Sequence, residues 1–327
     1  MTAISTENLT KQFGDEVALD GLDLTVEEGE VFGFLGPNGA GKSTTINLLL
    51  DFMRPTAGRA QVLGLDSREQ SQEIRSRVGV LAEGIDLYGR LTGRRHLELA
   101  IDWADGERTA DALLDRVGLS RADAERKTGD YSKGMKQRLA IGMALAGDPD
   151  LLILDEPASG LDPNGIREMR DLVRAEADAG TTVFFSSHDL DQVEAVCDRV
   201  GILTDGDLVA VDTIEGLREE LGARSELYLR LGGDPEVDVA SVAGVSATTY
   251  EDGRLTVTCA DPRAKARAIG HLLDAGVEIL DVDSSSVSLE DVFAAYTNGD
   301  VQVEQADRGR QRDEQAETES RIAGVIG

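Results

Sequence analysis

The glycine-rich segment Gly36-Pro37-Asn38-Gly39-Ala40-Gly41-Lys42-Ser43 constrains this chain more than any other feature. It fits the pattern G-x-x-x-x-G-K-[ST], in which backbone N–H groups of the turn face inward and surround phosphate oxygens. Lys42 can reach the β- and γ-phosphates as a positive charge, and the hydroxyl of Ser43 can bind Mg²⁺. A helix that begins near Lys42 adds the positive end of its dipole. The segment therefore predicts a bound nucleotide.

The flanking residues favour this interpretation over an ordinary glycine-rich turn that happens to contain Lys-Ser. The apolar run 31–35 predicts a buried strand that enters the loop, and residues 44–50 predict a helix that leaves it. Strand, loop and helix is the order in which the motif occurs. The predicted nucleotide-binding residues of this segment are Gly36, Pro37, Asn38, Gly39, Ala40, Gly41, Lys42, Ser43 and Thr44.

Length and composition allow a large folded core. The chain has 327 residues, which suits two domains or one large domain with an appendage, and 41% of them are hydrophobic. No run approaches the roughly 20 apolar residues of a membrane-spanning helix, and the first residues do not have the pattern of a signal peptide. Cys197 and Cys259 lie far apart and without the spacing of a metal site. We therefore expect reduced, structural thiols in a cytoplasmic protein.

The formal net charge of −29 disfavours binding to nucleic acids or anionic lipids through the bulk surface, because both are anionic. Six of the 33 basic residues are lysines. An acidic surface with few lysines resembles proteins of salt-accumulating halophiles, in which molar salt shortens the Debye length to ~3 Å and screens self-repulsion. The hypothesis is that folding requires high KCl, and the alternative is an acidic protein with no salt requirement.

A second informative segment is Leu151-Leu152-Ile153-Leu154-Asp155-Glu156-Pro157. Its four apolar residues predict a buried central strand, which Pro157 ends because proline cannot donate to a sheet. Asp155 at the strand end can hold Mg²⁺ through water beside the phosphate loop, and Glu156 can act as the general base for an attacking water. The segment is weakly specific alone and strongly specific downstream of a phosphate loop.

Between these segments, a short polar turn at 131–134 precedes an apolar helix that continues to about residue 146. The free N–H groups at the start of this helix suit an anion. An ordinary helix with Ser132 as its N-terminal cap fits the same residues. Composition does not separate the two interpretations.

Read together, the segments resemble the nucleotide-binding subunit of an ABC transporter over about residues 2–218. The segment at 131–135 departs from the family's Leu-Ser-Gly-Gly-Gln, since Tyr131, Lys133 and Met135 replace Leu, the first Gly and Gln. Similar Ser-Lys-Gly-Met forms occur in the exporter branch of the family. The resemblance implies that Ser132 and Gly134 face the γ-phosphate of ATP bound to an opposing subunit.

The same resemblance assigns roles after the Asp155-Glu156 strand. It implies that Ser159-Gly160-Leu161-Asp162 contacts the partner subunit and that His188, after the strand-like residues 181–187, contacts the γ-phosphate as a catalytic residue. A lone histidine is otherwise more often a structural residue. Asp162-Pro163 also predicts a helix cap with proline at the first helical position, and both roles are compatible.

Two further positions are assigned by the same resemblance. Phe13 matches the aromatic residue that stacks on adenine in the family, although a lone phenylalanine in a hairpin is more often part of a core. The family's glutamine after the strand at 78–81 is replaced here by Glu83. Glu83 can still offer an oxygen to Mg²⁺ or to the attacking water, and its negative charge can alter that contact. The predicted metal-binding residues are therefore Ser43, Asp155 and Glu83.

The predicted fold is α/β, of the P-loop NTPase type found in ABC ATPases. Residues 1–220 form the ATP-binding domain, with a mostly parallel sheet, an antiparallel β portion at 2–35 and 58–64, and a helical subdomain at about 84–147. Residues 221–300 alternate as in a small α+β, ferredoxin-like domain that ends in a helix at 289–296. Residues 301–327 form an acidic and polar tail that we expect to be disordered.

The expected function is hydrolysis of ATP, with Mg²⁺, by a head-to-tail homodimer that drives an export permease. The permease is expected to be a separate integral-membrane polypeptide, so the chain would lie at the cytoplasmic face of the cell membrane. The alternative is a soluble ABC ATPase that acts as an ATP switch on a non-membrane partner. A nucleic-acid partner is disfavoured by the charge.

Overall fold

Buried apolar runs set the strands, and polar capping residues set most helix starts. The computed structural model describes residues 1–220, 225–233, 235, 237–251, 253–259, 262–285 and 288–297. The predicted tail at 301–327 and part of the predicted boundary near residue 221 lie outside these residues. The strands are β1 (Thr2–Phe13), β2 (Glu16–Leu22), β3 (Thr25–Glu27), β4 (Val31–Leu35), β5 (Ala57–Val62), β6 (Leu65–Asp66), β7 (Val78–Leu81), β8 (Leu151–Asp155), β9 (Thr182–Ser187), β10 (Arg199–Thr204), β11 (Asp207–Asp212), β12 (Ser225–Leu231), β13 (Val245–Glu251), β14 (Arg254–Cys259) and β15 (Ile279–Ser285). The helices are α1 (Lys42–Leu49), α2 (Ser71–Arg77), α3 (Gly93–Ala104), α4 (Ala110–Arg116), α5 (Arg121–Ala124), α6 (Lys133–Ala144), α7 (Pro163–Asp178), α8 (Leu190–Val196), α9 (Ile214–Glu220), α10 (Pro262–Asp274) and α11 (Leu289–Thr297), with short 3-10 turns at Thr128–Asp130 and Val239–Ser241.

One sheet carries the strands that end at the candidate site. Its order among the described residues is β11-β10-β4-β9-β8-β7, with β11 antiparallel at one edge and the other strands parallel. Every residue of β4, β8 and β9 is buried, as expected for parallel strands that are covered on both faces. The mostly parallel sheet predicted from the sequence is confirmed. The carboxyl ends of β4, β9 and β8 consequently lie side by side.

The predicted antiparallel portion is a second sheet, with the order β2-β1-β5-β6 and β3 paired to β1. The hairpin of β1 and β2 brings Phe13 opposite Glu16. Residues 31–35, which lie within the range predicted for this portion, form β4 of the parallel sheet instead. The second sheet packs its apolar residues, including Ile4, Leu9 and Val26, with those of α1.

Helices α3 to α6 lie between β7 and β8 in the chain, and we call residues 93–144 the helical region. Their apolar faces share one buried cluster with the parallel sheet. Each of the four helices follows a serine or threonine whose side chain accepts a backbone hydrogen bond, namely Thr92, Thr109, Ser120 and Ser132. The helix-rich segment predicted at 84–147 agrees with these positions.

The C-terminal sheet has the order β13-β14-β12-β15 and a core of its own with α10, built on residues such as Leu229, Val257 and Ala268. The last described helix, α11, packs elsewhere. Its buried Leu289 and Val292 belong to the cluster of the parallel sheet, and the Tyr296 hydroxyl donates to Glu220 at 2.6 Å. After the C-terminal sheet, the chain therefore packs its last described helix against the core of the parallel sheet. Within the described residues, no helix has the length and apolar character needed to cross a membrane.

Candidate active site

The candidate site lies where three neighbouring parallel strands end. The loop at 36–41 follows β4, His188 follows β9, and Asp155 is the last residue of β8. Because β9 lies between β4 and β8, its end separates the loop from Asp155 by one strand. The sheet order therefore assembles residues that are more than a hundred positions apart in the chain.

The glycine loop is tightly packed on its inner side and open at its tip. Pro37, Asn38 and Gly39 are exposed, whereas Gly36 and residues 40–42 are buried. A Cβ on Gly36 would lie 2.5 Å from the carbonyl oxygen of Leu203. Gly39 has φ 88°, a left-handed conformation that glycine adopts without strain. This backbone turns into α1, which begins at Lys42 as predicted and carries Ser43 and Thr44 in its first turn.

Lys42 is folded over the loop it follows. Its Nζ donates to the carbonyl oxygen of Gly36 at 2.6 Å and of Pro37 at 3.3 Å. The same Nζ lies 3.6 Å from Glu156 Oε1, and both side chains are more than nine-tenths buried. A buried ammonium at this place needs negative partners, which the Glu156 carboxylate supplies together with the carbonyls. The structure thus brings together two residues that the sequence assigned to one site.

Asp155 lies between two hydroxyl groups. Ser43 Oγ donates to Asp155 Oδ2 at 3.1 Å, and Ser186 Oγ donates to Asp155 Oδ1. Ser43 and Asp155 therefore form an adjacent pair of hard oxygen donors, the type that Mg²⁺ prefers. Ser186 is not among the site residues predicted from the sequence. The sequence feature that could have indicated Ser186 is the pair Ser186-Ser187, which ends a strand whose preceding residues are mostly apolar.

Glu156 has an unusual backbone and two carboxylate contacts. Its φ is 49°, a left-handed value that is uncommon for a residue with a side chain, and such positions concentrate at functional sites. Its N–H donates to the carbonyl oxygen of Ser186 at 3.1 Å and faces Ser186 Oγ at 3.2 Å. Oε2 lies 2.9 Å from His188 Nδ1. Oε1 is buried and has no hydrogen-bond donor among the described residues.

Ser132 and Gly134, which the resemblance assigns to the ATP of an opposing subunit, lie on another surface of the same chain. Ser132 caps α6, as one interpretation predicted, because its Oγ accepts from the N–H of Met135 at 3.2 Å. Ser132 and Gly134 line a cleft of about 510 Å³ with Gly160, and the phosphate loop contributes no residue to its lining. Asp162 caps α7 by accepting from the N–H of Gly165 at 2.8 Å, with proline at the first helical positions, as predicted.

Among the described residues, no hydrogen bond or ion pair connects Phe13 or Glu83 with the phosphate loop or with Asp155 and Glu156. The Phe13 ring is 45% exposed at the end of β1, with Lys11 Nζ 4.9 Å from its centroid, so it is not a core residue. Glu83 is exposed after β7, and within the described residues no hydrogen bond or ion pair connects it to Ser43 or Asp155. Its proximity to a metal ion remains a prediction.

Cys197 and Cys259 are both buried. Cys197 Sγ lies 2.9 Å from the position a Cβ on Gly33 of β4 would take. Burial raises the pKa of the Cys197 thiol well above its usual range, so the thiol stays protonated and unreactive. This agrees with the expectation of structural cysteines.

Comparison with known proteins gives the same assignment. Residues 19–159 match the family model described as ABC transporter. The chain is 37% identical over 314 residues to the daunorubicin resistance ATP-binding protein DrrA3 of Streptomyces coeruleorubidus, covering 93% of this chain and 99% of that protein. It is 35% identical over 305 residues to the bacitracin transport ATP-binding protein BcrA of Bacillus licheniformis, covering 91% of this chain and 98% of that protein.

Two solved structures resemble the fold. One, an ATP-binding subunit of an ABC transporter, has a TM-score of 0.61 and 30% identity, with 68% of this chain and 94% of that chain covered. The other is a dimeric ATP-binding cassette in a post-hydrolysis state bound to ADP and Pi, with a TM-score of 0.59, 26% identity, and 64% of this chain and 98% of that chain covered. With the P-loop geometry described above, these likenesses show that the chain belongs to the ATP-binding proteins of the ABC transporter family.

Proposed function

We propose that this protein hydrolyses ATP at the site formed by the loop at 36–43, Asp155, Glu156 and His188. One observation supports this most directly: in the part of the chain that the structure describes, the buried Oε1 of Glu156 has no hydrogen-bond donor, and it lies 3.6 Å from Lys42 Nζ. A water molecule that approaches the γ-phosphate held by Lys42 would meet this oxygen. Glu156 would accept its proton as general base.

The neighbouring groups orient this base and the phosphate. His188 Nδ1, 2.9 Å from Glu156 Oε2, holds the carboxylate in place, and the ring is free to contact the γ-phosphate because 55% of its side chain is exposed. Backbone N–H groups of residues 36–43 and the N-terminus of α1 would surround the other phosphate oxygens. Phe13 offers an exposed ring face for the adenine.

The donor set fits Mg²⁺. Ser43 Oγ and Asp155 Oδ2, 3.1 Å apart, would hold the ion, directly for the serine and through water for the aspartate. When bound, Mg²⁺ neutralises the charge that develops between the β- and γ-phosphates. Glu83 would contribute to binding the ion only through its exposed carboxylate, which follows β7, the neighbour of β8 in the sheet.

The complete site needs a second copy of this chain. Ser132 and Gly134 line a cleft to which the phosphate loop contributes no residue, so we expect them to contact an ATP other than the one bound by the loop of their own chain. A head-to-tail homodimer would place the Ser132 and Gly134 of each copy against the γ-phosphate held by the other. The dimeric cassette among the structural relatives supports this arrangement.

The relatives favour a role in export. DrrA3 is named for daunorubicin resistance and BcrA for bacitracin transport, and each is covered over nearly its whole length. We propose that ATP-driven closure of the dimer powers a separate integral-membrane permease from the cytoplasmic face of the cell membrane. Recovery of the protein in washed membranes only when the permease is co-expressed supports this role. Equal recovery in the soluble fraction with and without it favours the alternative of a soluble ATP switch.

The Glu156→Gln variant tests the catalytic assignment. Glutamine keeps the size of the side chain but cannot take the proton, so we expect kcat to fall by about 10²–10⁴-fold while ATP still binds. Gel filtration with Mg²⁺ and ATP should then show an accumulated dimer. Glu69→Gln, a change at an exposed position of the same chain, is the matched control. Normal hydrolysis by Glu156→Gln would show that the base lies elsewhere.

The charge of −29 supports a further proposal, that folding depends on high salt. Raising KCl from about 0.1 M to about 1 M shortens the Debye length from about 10 Å to about 3 Å and so screens repulsion between surface carboxylates. We expect the melting temperature and the ATPase rate to rise together over this range. Constant values of both would refute a salt requirement.

A further inference from the structure

Two arginines connect the helical region to α7, the helix that follows the segment 159–162. Arg116, the last residue of α4, donates from both Nε and Nη2 to the two carboxylate oxygens of Glu176, the second contact at 2.6 Å. Only 1% of the Glu176 side chain is exposed. A two-pronged contact of this kind fixes the relative orientation of both groups, because a planar guanidinium meets a planar carboxylate.

Arg138 makes the second connection from α6. Its Nη1 donates to the carbonyl oxygen of Gly118 at 3.0 Å, just after α4, and its Nη2 pairs with Glu168 on α7. Arg138 therefore joins three segments. Together with Arg116, it ties α4 and α6 of the helical region to one face of α7.

These charged contacts span a gap. A cleft of about 410 Å³ lies between α6 and α7, lined by Arg116 and Arg138 and by apolar residues that include Ile141 and Met169. Dispersion contacts are lost across the cleft, so apolar packing does less to set the spacing of the helices there. The two arginine–glutamate pairs bridge that gap, and removing one partner of the buried pair would leave the other charge uncompensated.

The two helices begin at the two segments that a dimer would bring to its interface. Ser132 caps α6, so a change in the tilt of α6 displaces Ser132 and Gly134. Asp162 caps α7, which packs against β9 and α8 of the parallel-sheet unit. We propose that Arg116–Glu176 and Arg138–Glu168 are positioning contacts that set the tilt of the helical region and thereby align Ser132 and Gly134 with the ATP held by a partner copy. The alignment rests on the proposed dimeric ATPase.

The kinetic test compares charge removal across the gap with charge removal inside the helical region. Glu176→Gln keeps the side-chain volume but loses the ion pair, and Arg116→Lys keeps the charge but loses the two-pronged geometry. Both should lower kcat by about tenfold, since a small misplacement of reacting groups is costly, and leave ATP affinity of the monomer unchanged. The control is Arg94→Gln, which removes the ion pairs of Arg94 with Asp111 and Glu125, both within the helical region.

A distance measurement separates this inference from the proposed function. Spin labels at Glu73→Cys on α2 and Asp102→Cys on α3, both exposed positions, report the tilt of the helical region without ATP. We expect a narrow distance distribution in the otherwise unchanged protein and in Arg94→Gln, and a broader or shifted one in Glu176→Gln and Arg116→Lys. A wild-type distribution or a wild-type kcat in both test variants overturns the inference. A parent protein that neither hydrolyses ATP nor dimerises overturns the proposed function instead.

Discussion

Replacing Ser186 by alanine tests whether the end of β9 organises both acidic residues of the site. Ser186 is fully buried, its Oγ donates to Asp155, and its carbonyl oxygen and Oγ both face the N–H of Glu156. Alanine has nearly the same volume, so the change removes hydrogen bonds without a large cavity. The Glu156 N–H keeps its bond to the residue-186 carbonyl at 3.1 Å, and Asp155 keeps the bond from Ser43 at 3.1 Å.

The magnitude follows from the bond that is lost. A hydrogen bond to a charged group contributes about 1.5–3 kcal/mol, so the free energy of unfolding should fall by about 2 kcal/mol. For a unit of about 200 residues this corresponds to a melting temperature lower by about 4–8 °C. Because the N–H of Glu156 also loses Ser186 Oγ as an acceptor, the backbone that positions this residue is held less firmly, and kcat should also fall by about tenfold.

The assay is thermal unfolding in EDTA without nucleotide, where neither ATP nor Mg²⁺ compensates for the missing donor. Ser187→Ala is the matched control, because Ser187 is also buried but its Oγ accepts from the N–H of Asp189 at 3.0 Å and does not touch Asp155. A neutral bond of that kind contributes about 1 kcal/mol, so its loss should lower the melting temperature by about 2–4 °C. The reasoning is refuted if Ser186→Ala melts within about 1 °C of the parent protein or no lower than Ser187→Ala.

Two further substitutions probe the loop and the histidine. His188→Ala should lower kcat by about a hundredfold, because Glu156 Oε2 loses its contact at 2.9 Å. The melting temperature should shift by less than about 2 °C, because 55% of the His188 side chain is exposed. A large loss of stability with normal turnover would contradict this expectation. Gly36→Ala should lower the free energy of unfolding by about 1–3 kcal/mol in urea titrations, since its Cβ would lie 2.5 Å from the Leu203 carbonyl oxygen. Gly39→Ala, which meets nothing within 4 Å and carries only the strain of φ 88°, should lose about 1 kcal/mol, and equal losses at the two positions would rule out the steric explanation.

Local chemistry made much of the site predictable. The strand, loop and helix at 31–49 require only short-range patterns, namely an apolar run, glycines and the first turn of a helix. Helix caps at Ser132 and Asp162 were predictable for the same reason, because a cap is a contact with the backbone three residues away. The order of these motifs along the chain is typical of the family.

Contacts between distant segments could not be obtained in this way. Ser186 meets Asp155 because β9 is the neighbour of β8 in the sheet, and nothing in residues 182–187 records that pairing. Likewise α11 joins the core of the parallel-sheet unit although it follows the small sheet in the chain, and a helix of nine residues contains no signal for which apolar surface it will cover.

The sequence by itself determined that the chain has a phosphate loop, two acidic residues at the end of a strand and a helix capped by Ser132. Each of these features is a short-range arrangement of backbone and side-chain groups. Only the tertiary structure decided that Lys42 lies 3.6 Å from Glu156 Oε1, that Ser186 holds Asp155, and that Arg116 reaches a buried Glu176. Those contacts depend on strand order and helix packing, which arise from burial of apolar surface over the whole unit. Hydrophobic burial has no direction of its own, so the individual segments do not encode which partners it brings together.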